Sequence, residues 1–238
     1  MSFVSAFYQS TIGKKVIMAV TGLLLVGFVI GHMLGHLQMF ESAAKYDAYA
    51  HFLQSLGGLL WLVRLVLFAA VVLHVVMAVQ LTRRSRAARP VPYVRQSPQV
   101  STLASRSMRV GGFLVLAFVI FHILHFTTLS IFPEYRNIDV YSRMIVAFHN
   151  PWLTAFYVIS MVALGLHLYH GAWSSFRTLG LTRPSANPLS RKVAVVVAVV
   201  VAAGFIVVPV AIAAGVIKSE SAATPSADTR AAAAAPER

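Results

Sequence analysis

Nine histidines punctuate this chain, and four of them, His32, His74, His122 and His167, fall one apiece in four successive apolar stretches. An imidazole is costly to bury in hydrocarbon, so an ionisable ring inside a membrane span marks a functional position. Along a helix of 1.5 Å rise, His74 lies nine residues from Arg83 and His167 ten from Arg177, roughly 13–15 Å from that boundary. His122 lies thirteen residues from Arg109 and His32 seventeen from Lys15, roughly 20–25 Å from the same boundary. The four thus form two pairs at two depths, His74 with His167 and His32 with His122. Imidazole is a good axial ligand for haem iron, and two of them leave no open position for oxygen or substrate. The pattern points to two b-type haems, each clamped by histidines from different helices, and to electron transfer rather than small-molecule binding.

The elements that must position these rings are read from composition. The chain is 58% hydrophobic and 11% charged, with a mean hydropathy of +0.75. Five stretches, at about 15–37, 59–81, 110–132, 152–176 and 193–217, are long enough to cross roughly 30 Å of hydrocarbon as helices. The first has no small-residue cleavage site and reads as a retained span, not a secretory signal. The expected fold is therefore an all-α integral membrane protein, five transmembrane helices in a bundle around two stacked haems. This domain covers residues 1–217, and the Ala-rich tail 218–238, with Pro225 and Pro236, reads as disordered.

Charge sets the orientation. Lys14, Lys15, Arg83, Arg84, Arg86, Arg89, Arg95, Arg106, Arg109, Arg177, Arg183, Arg191 and Lys192 share one face with no acid among them. All seven acids, Glu41, Asp47, Glu134, Asp139, Glu220, Asp228 and Glu237, fall on the other. The positive-inside rule puts the N-terminus in the cytoplasm and the C-terminus outside. The net charge of +13 is then a topology signal. The cations are juxtamembrane and lack interleaved aromatics, so nucleic acid is not the expected partner; anionic lipid headgroups and a docked soluble subunit are. The stretch from Arg83 to Arg109, with Pro90, Pro92 and Pro98, reads as a cytoplasmic loop.

The other histidines allow alternatives. His36, His125 and His170 follow haem candidates by three or four residues and could replace them or bond a haem propionate or a quinone. His51 and His149 read as residues of the outer connections. His-x-x-x-His and His-x-x-His spacings also suit zinc, but no span carries a carboxylate to complete such a site. A metal transporter should have broken helices at midplane, and only Pro209 interrupts a span. Gly27, Gly31 and Gly35 form a smooth stripe around His32, Gly111 and Gly112 open the third helix, and Gly165 and Gly171 bracket His167. Small-residue helix packing explains these glycines as readily as a haem does. With no cysteine in the chain, iron–sulfur clusters and covalent haem are excluded, and flavin or cluster chemistry must belong to partner subunits. A quinone needs an apolar slot with one or two donors. His36, His51, Gln54 and Arg64 are candidates toward the outer face, and Ser10 or Lys14 toward the inner one; for Arg64, snorkelling or a haem propionate is the stronger account.

The motifs, in order, resemble a known family. They are Ser10-Thr-Ile-Gly-Lys-Lys, Met18-Ala-Val-Thr-Gly22, Ile30-Gly-His-Met33, Ala50-His-Phe-Leu-Gln-Ser-Leu56, Leu73-His-Val-Val76 and Phe121-His-Ile-Leu124. Then come Pro151-Trp-Leu-Thr-Ala-Phe-Tyr157, Leu166-His-Leu-Tyr-His-Gly-Ala-Trp-Ser-Ser-Phe176 and Gly180-Leu-Thr182. Over roughly residues 5–217 this set resembles the cytochrome b558-type membrane anchor of succinate dehydrogenases and fumarate reductases. The resemblance implies a five-helix subunit of respiratory complex II in a bacterial cytoplasmic membrane. Its axial ligands would be His32 and His122 for an outer, distal haem b and His74 and His167 for an inner, proximal one. Implied partners are a flavoprotein and an iron–sulfur subunit on the cytoplasmic face, with menaquinone or another quinone as substrate; a higher oligomer of the complex is compatible with it. Some quinol-oxidising members carry a glutamate two residues before the last haem histidine. Gly165 stands there in this chain, so it is expected to lack that proton route and to work chiefly as a succinate:quinone reductase. The rival readings are a di-haem anchor of a hydrogenase or formate dehydrogenase, and a cofactor-free membrane protein.

Overall fold

The computed structural model describes residues 2–88, 91, 103–182 and 188–219. Arg89, Arg95, Arg183, the three prolines of the first basic loop and the tail beyond residue 219, with Glu220, Asp228 and Glu237, lie outside the described residues. Among those described the chain is all helical, with no strand. Helix α1 (Phe3–Gln9) leads into α2 (Thr11–Leu37). Ser10 joins them: its hydroxyl accepts the Gly13 N–H and donates to the Phe7 carbonyl, each at 2.8 Å. There follow α3 (Ala43–Ser55), α4 (Gly58–Ala87), α5 (Leu103–His122) with a π turn at Ile123–Thr127, α6 (Val140–His149), α7 (Pro151–Thr178) and α8 (Pro188–Ala213).

Five segments are long and apolar enough to cross a membrane: Thr11–Phe40, Gly58–Ala87, Ala104–Thr127, Pro151–Thr178 and Leu189–Ala213. The chain is a multi-pass membrane protein. Large apolar side chains such as Trp61, Phe68, Phe113 and Ile159 point outward, where lipid tails solvate them as well as a core would. The spans differ from the expected bounds. The first starts at Thr11 and runs on to Phe40. The second continues to Ala87, so that Arg83, Arg84 and Arg86 belong to the helix and not to the expected basic loop. The third begins at Ala104, not near 110, because Arg106 and Arg109 can sit on the helix and reach their charges out to the interface. It stops at Thr127 because the π turn and Leu129, with φ +54°, end the helical path. The fifth starts several residues early and stops at Ala213. There Gly215 takes φ +70°, and the N–H groups of Gly215 and Val216 return to the Ile212 and Ala211 carbonyls at 3.0 and 2.8 Å, a Schellman closure.

The acid-bearing connections, expected as loops, hold α3 and α6. His149 is the last residue of α6, its Nδ1 2.7 Å from the Ile145 carbonyl, and not a loop residue. Phe148, Met39, Tyr46, Tyr141 and Ile212 bury one another where α6 lies against α3, α7 and α8, closing that end of the bundle. Two carboxylates sit at the N-terminus of α6. Asp139 accepts the Ser142 N–H at 2.7 Å and its hydroxyl at 2.9 Å, and Asp47 accepts the Tyr141 N–H at 3.0 Å. Burial lifts Asp47 above the usual carboxylate range despite that bond. Burial alone would raise Asp139 too, yet the Ser142 hydrogen bonds outweigh it and hold it low.

Asp139→Ala should cost about 1 kcal/mol of stability, as loss of a helix cap does. A carboxyl held low in the folded state contributes fully above its unfolded pKa of about 4 and less as pH falls through the folded value. Thermal melts in detergent should therefore show a gap between wild type and variant at pH 7 that narrows at pH 3. An equal gap at both would refute the ionised cap.

Backbone packing joins α4 to α2, α5 to α7, α2 to α7, and α8 to both α7 and α2. Contact of α4 with α7, and of α2 with α5, is sparse. Those two loosely joined helix pairs carry the four histidines.

Candidate functional site

The bundle has a basic end, with Lys14, Arg84, Arg109, Arg177 and Arg191, and an acid-bearing end, with Glu41, Asp47, Glu134 and Asp139. Nearer the basic end, His74 of α4 faces His167 of α7, ring centres 6.2 Å apart and planes at 62°. His74 Nδ1 lies 3.1 Å from the Met18 carbonyl and 3.4 Å from the Thr21 hydroxyl, which itself donates to Ile17 at 2.8 Å. A carbonyl only accepts, so the proton of His74 belongs on Nδ1, and Nε2 keeps a lone pair for a metal. Glycines make room beside both rings. A Cβ on Gly22 would stand 3.1 Å from His74 Cε1, and one on Gly112 3.5 Å from His167 Cε1. His167 Nδ1 is buried without a hydrogen-bond partner among the described residues.

Toward the acid-bearing end, His32 of α2 faces His122 of α5, ring centres 5.8 Å apart and planes at 74°. His36 joins them, its Nε2 3.3 Å from His32 Nε2 and its Nδ1 3.0 Å from the Tyr46 hydroxyl of α3. On the other side the Tyr157 hydroxyl of α7 lies 3.5 Å from His122 Nδ1. His32 is ten residues beyond Gly22 and His122 ten beyond Gly112, so the two pairs stand about 15 Å apart along the helices.

Two metal–imidazole bonds of about 2 Å, with each ring nitrogen about 1 Å from its ring centre, put the centres about 6 Å apart across one iron. Both pairs have that separation. Each also bridges helices that scarcely pack, which is where a flat group needs space. An apolar cleft of about 140 Å³ lies against His167, lined by Met108, Gly111, Leu114, Ala163 and Leu166. The donors present therefore fit a bis-histidine haem at each level. No three His, Cys, Asp or Glu among the described residues are grouped to hold a single ion, so the closely spaced histidines gather no third ligand of that kind.

No family model, curated protein or solved structure matches this chain. The chemistry is read from the rings, their partners and the helices that carry them.

Other residues singled out by sequence are placed as follows. Of the four quinone candidates toward the acid-bearing end, only His36 reaches the His32–His122 pair. His51 and Gln54 are exposed on α3, and Arg64 is exposed on α4 with its guanidinium 5.1 Å from the Trp61 ring centre, a snorkelling posture. At the basic end, Ser10 is engaged in its helix cap, and Lys14, 3% exposed, donates to Gln80 Oε1 and lies 4.1 Å over Tyr8. Gly27 and Gly31 face open space, whereas Gly35 abuts Tyr49. Gly165 is a helix contact and not part of a haem cradle, since its Cβ would meet Ala202 of α8 at 3.1 Å. His170 turns its ring edge toward Trp173, which Arg177 and Arg191 both approach within 5.1 Å of its centre. Sequence reasoning missed Tyr46 and Tyr157. A buried tyrosine inside a span needs a partner for its hydroxyl, and that signal was available at Tyr157, two turns into α7.

Proposed function

We propose that this chain is the di-haem cytochrome b anchor of a succinate:quinone oxidoreductase, a subunit of respiratory complex II in a bacterial cytoplasmic membrane. The observation that carries the reading is the pair of histidine pairs, each with ring centres about 6 Å apart, at two levels of a five-span bundle. The ordered motifs supply the family, and the basic end supplies the cytoplasmic face through the positive-inside rule.

Bound haem supplies a one-electron redox centre at each level. His74 and His167 hold the proximal group, and His32 and His122 the distal one. With two imidazoles committed to each group, oxygen or substrate would find no open position, which would favour electron transfer over oxygen chemistry. The Met18 carbonyl orients His74, and the glycines at 22 and 112 keep the neighbouring backbone clear of the rings. The cations of the basic end would form the surface on which the iron–sulfur subunit and, through it, the flavoprotein dock. Menaquinone or another quinone is the membrane substrate. With no carboxylate in any span and Gly165 packed against α8, the favoured direction is succinate oxidation with quinone reduction.

The test is purification of the native complex from membranes. The expected result is a reduced-minus-oxidised b-type band with about two haems per chain, and a co-purifying flavoprotein that oxidises succinate. A preparation without a b band overturns the haem reading. One with the band but with hydrogenase or formate dehydrogenase activity instead overturns the family assignment.

A further inference from the structure

Beside the distal pair is a second buried histidine that ligation does not use. His125 is 0% exposed, and its Nε2 has no partner among the described residues. It sits in the π turn after His122, where the Thr128 N–H reaches back to the Ile123 carbonyl at 2.9 Å. Such wide turns in helices recur at functional positions. Phe126 stacks on the His125 ring at 4.0 Å, and Phe132 and Tyr135 close around it at 4.9 and 5.7 Å. Its Nδ1 lies 2.8 Å from the Tyr157 hydroxyl, the same hydroxyl that lies 3.5 Å from His122 Nδ1. Phe118 and Phe148 hold the Tyr157 ring edge-on at 5.1 and 5.0 Å, so the hydroxyl has little freedom.

We infer that Tyr157, backed by His125, is the positioning residue of His122: its hydroxyl accepts a hydrogen bond from the His122 Nδ1–H and donates one to His125 Nδ1. The inference rests on the haem reading above and deepens it. Ligation at His122 sets the order of protons. One hydroxyl has one hydrogen, and it lies between two ring nitrogens. If His125 donated to Tyr157 and Tyr157 to His122, then neutral His122 would carry its proton on Nε2 and could not bind iron there. Iron at His122 Nε2 requires the opposite order, which puts the His125 proton on Nε2 and leaves Nδ1 to accept from Tyr157. A hydrogen bond from the non-ligating nitrogen fixes the ring and makes the ligand more basic. More basic ligation favours ferric iron, so Tyr157 holds the distal potential down.

Redox titration of the purified complex tests this, with the proximal haem as internal control. Tyr157→Phe should keep both haems, raise the distal potential and leave the proximal one unmoved. His125→Leu, which strands the Tyr157 proton, should move the distal potential the same way by less. His125→Gln offers an amide oxygen as acceptor and should restore it. Unchanged potentials in Tyr157→Phe with both haems bound would overturn the inference while leaving the functional reading intact. Should Tyr157→Phe lose the distal haem, the His125 variants decide, and equal potentials for leucine and glutamine overturn it. Absence of a b band from the unaltered complex would remove the underlying reading instead.

Discussion

Replacing His167 with alanine should leave one haem b per chain where the proposed di-haem anchor would hold two. His167 is the only imidazole facing His74 across the gap between α4 and α7, and no carboxylate or cysteine lies in any span to take its place. His170, three residues on, turns toward Trp173 instead. Loss of one axial ligand from a buried site removes far more than the 10- to 100-fold typical of an outer-shell change, so proximal loading should fall below detection. His74→Ala should behave alike. Haem extraction, set against subunit protein, counts the loss, and the surviving distal group should keep a low-spin spectrum. Two haems with unchanged spectra in either variant would end the His74–His167 pairing.

The second large effect separates two neighbours at the distal level. His32→Ala should lose the distal haem, whereas His36→Ala should keep both. By spacing alone either histidine could be the ligand, since they lie four residues apart on one helix face. The structure distinguishes them. His32 faces His122 with ring centres 5.8 Å apart, while His36 is tied through its Nδ1 to the Tyr46 hydroxyl of α3. His36 is thus a supporting contact, and its loss should change the distal spectrum or potential without emptying the site. The reverse outcome, with His36→Ala empty and His32→Ala loaded, would transfer the ligand role. Haem stoichiometry of the two variants, purified side by side, reads either result.

Much of the scaffold was legible because its physics is one-dimensional. Apolar runs long enough to cross a bilayer, separated by basic or acidic stretches, define five spans from hydropathy and length. The levels of the histidines follow from the helical rise, and the structure holds the same four side chains ring to ring in the same two pairs. What escaped depends on tertiary context. The third span starts near Ala104 because Arg106 and Arg109 belong to the helix, although a hydropathy scan reads them as loop. The helices α3 and α6 are short, and α6 is defined by the Asp139 cap and by packing against α8. The π turn at Ile123–Thr127 has no local sequence signal, so the burial of His125 and its bond to Tyr157 could not be foreseen. For Gly165 the sequence left helix packing and haem space both open, and its contact with Ala202 is the packing.

The sparse packing of α4 against α7, and of α2 against α5, bears on biogenesis. If porphyrins span those gaps, cofactor supply and maturation of the protein are coupled, because ligation draws together segments that side chains alone leave apart. Before insertion α4 is tethered to the rest chiefly through α2. Cells starved of porphyrin should therefore accumulate a precursor in which the segment Gly58–Ala87 is the first to be lost to membrane proteases.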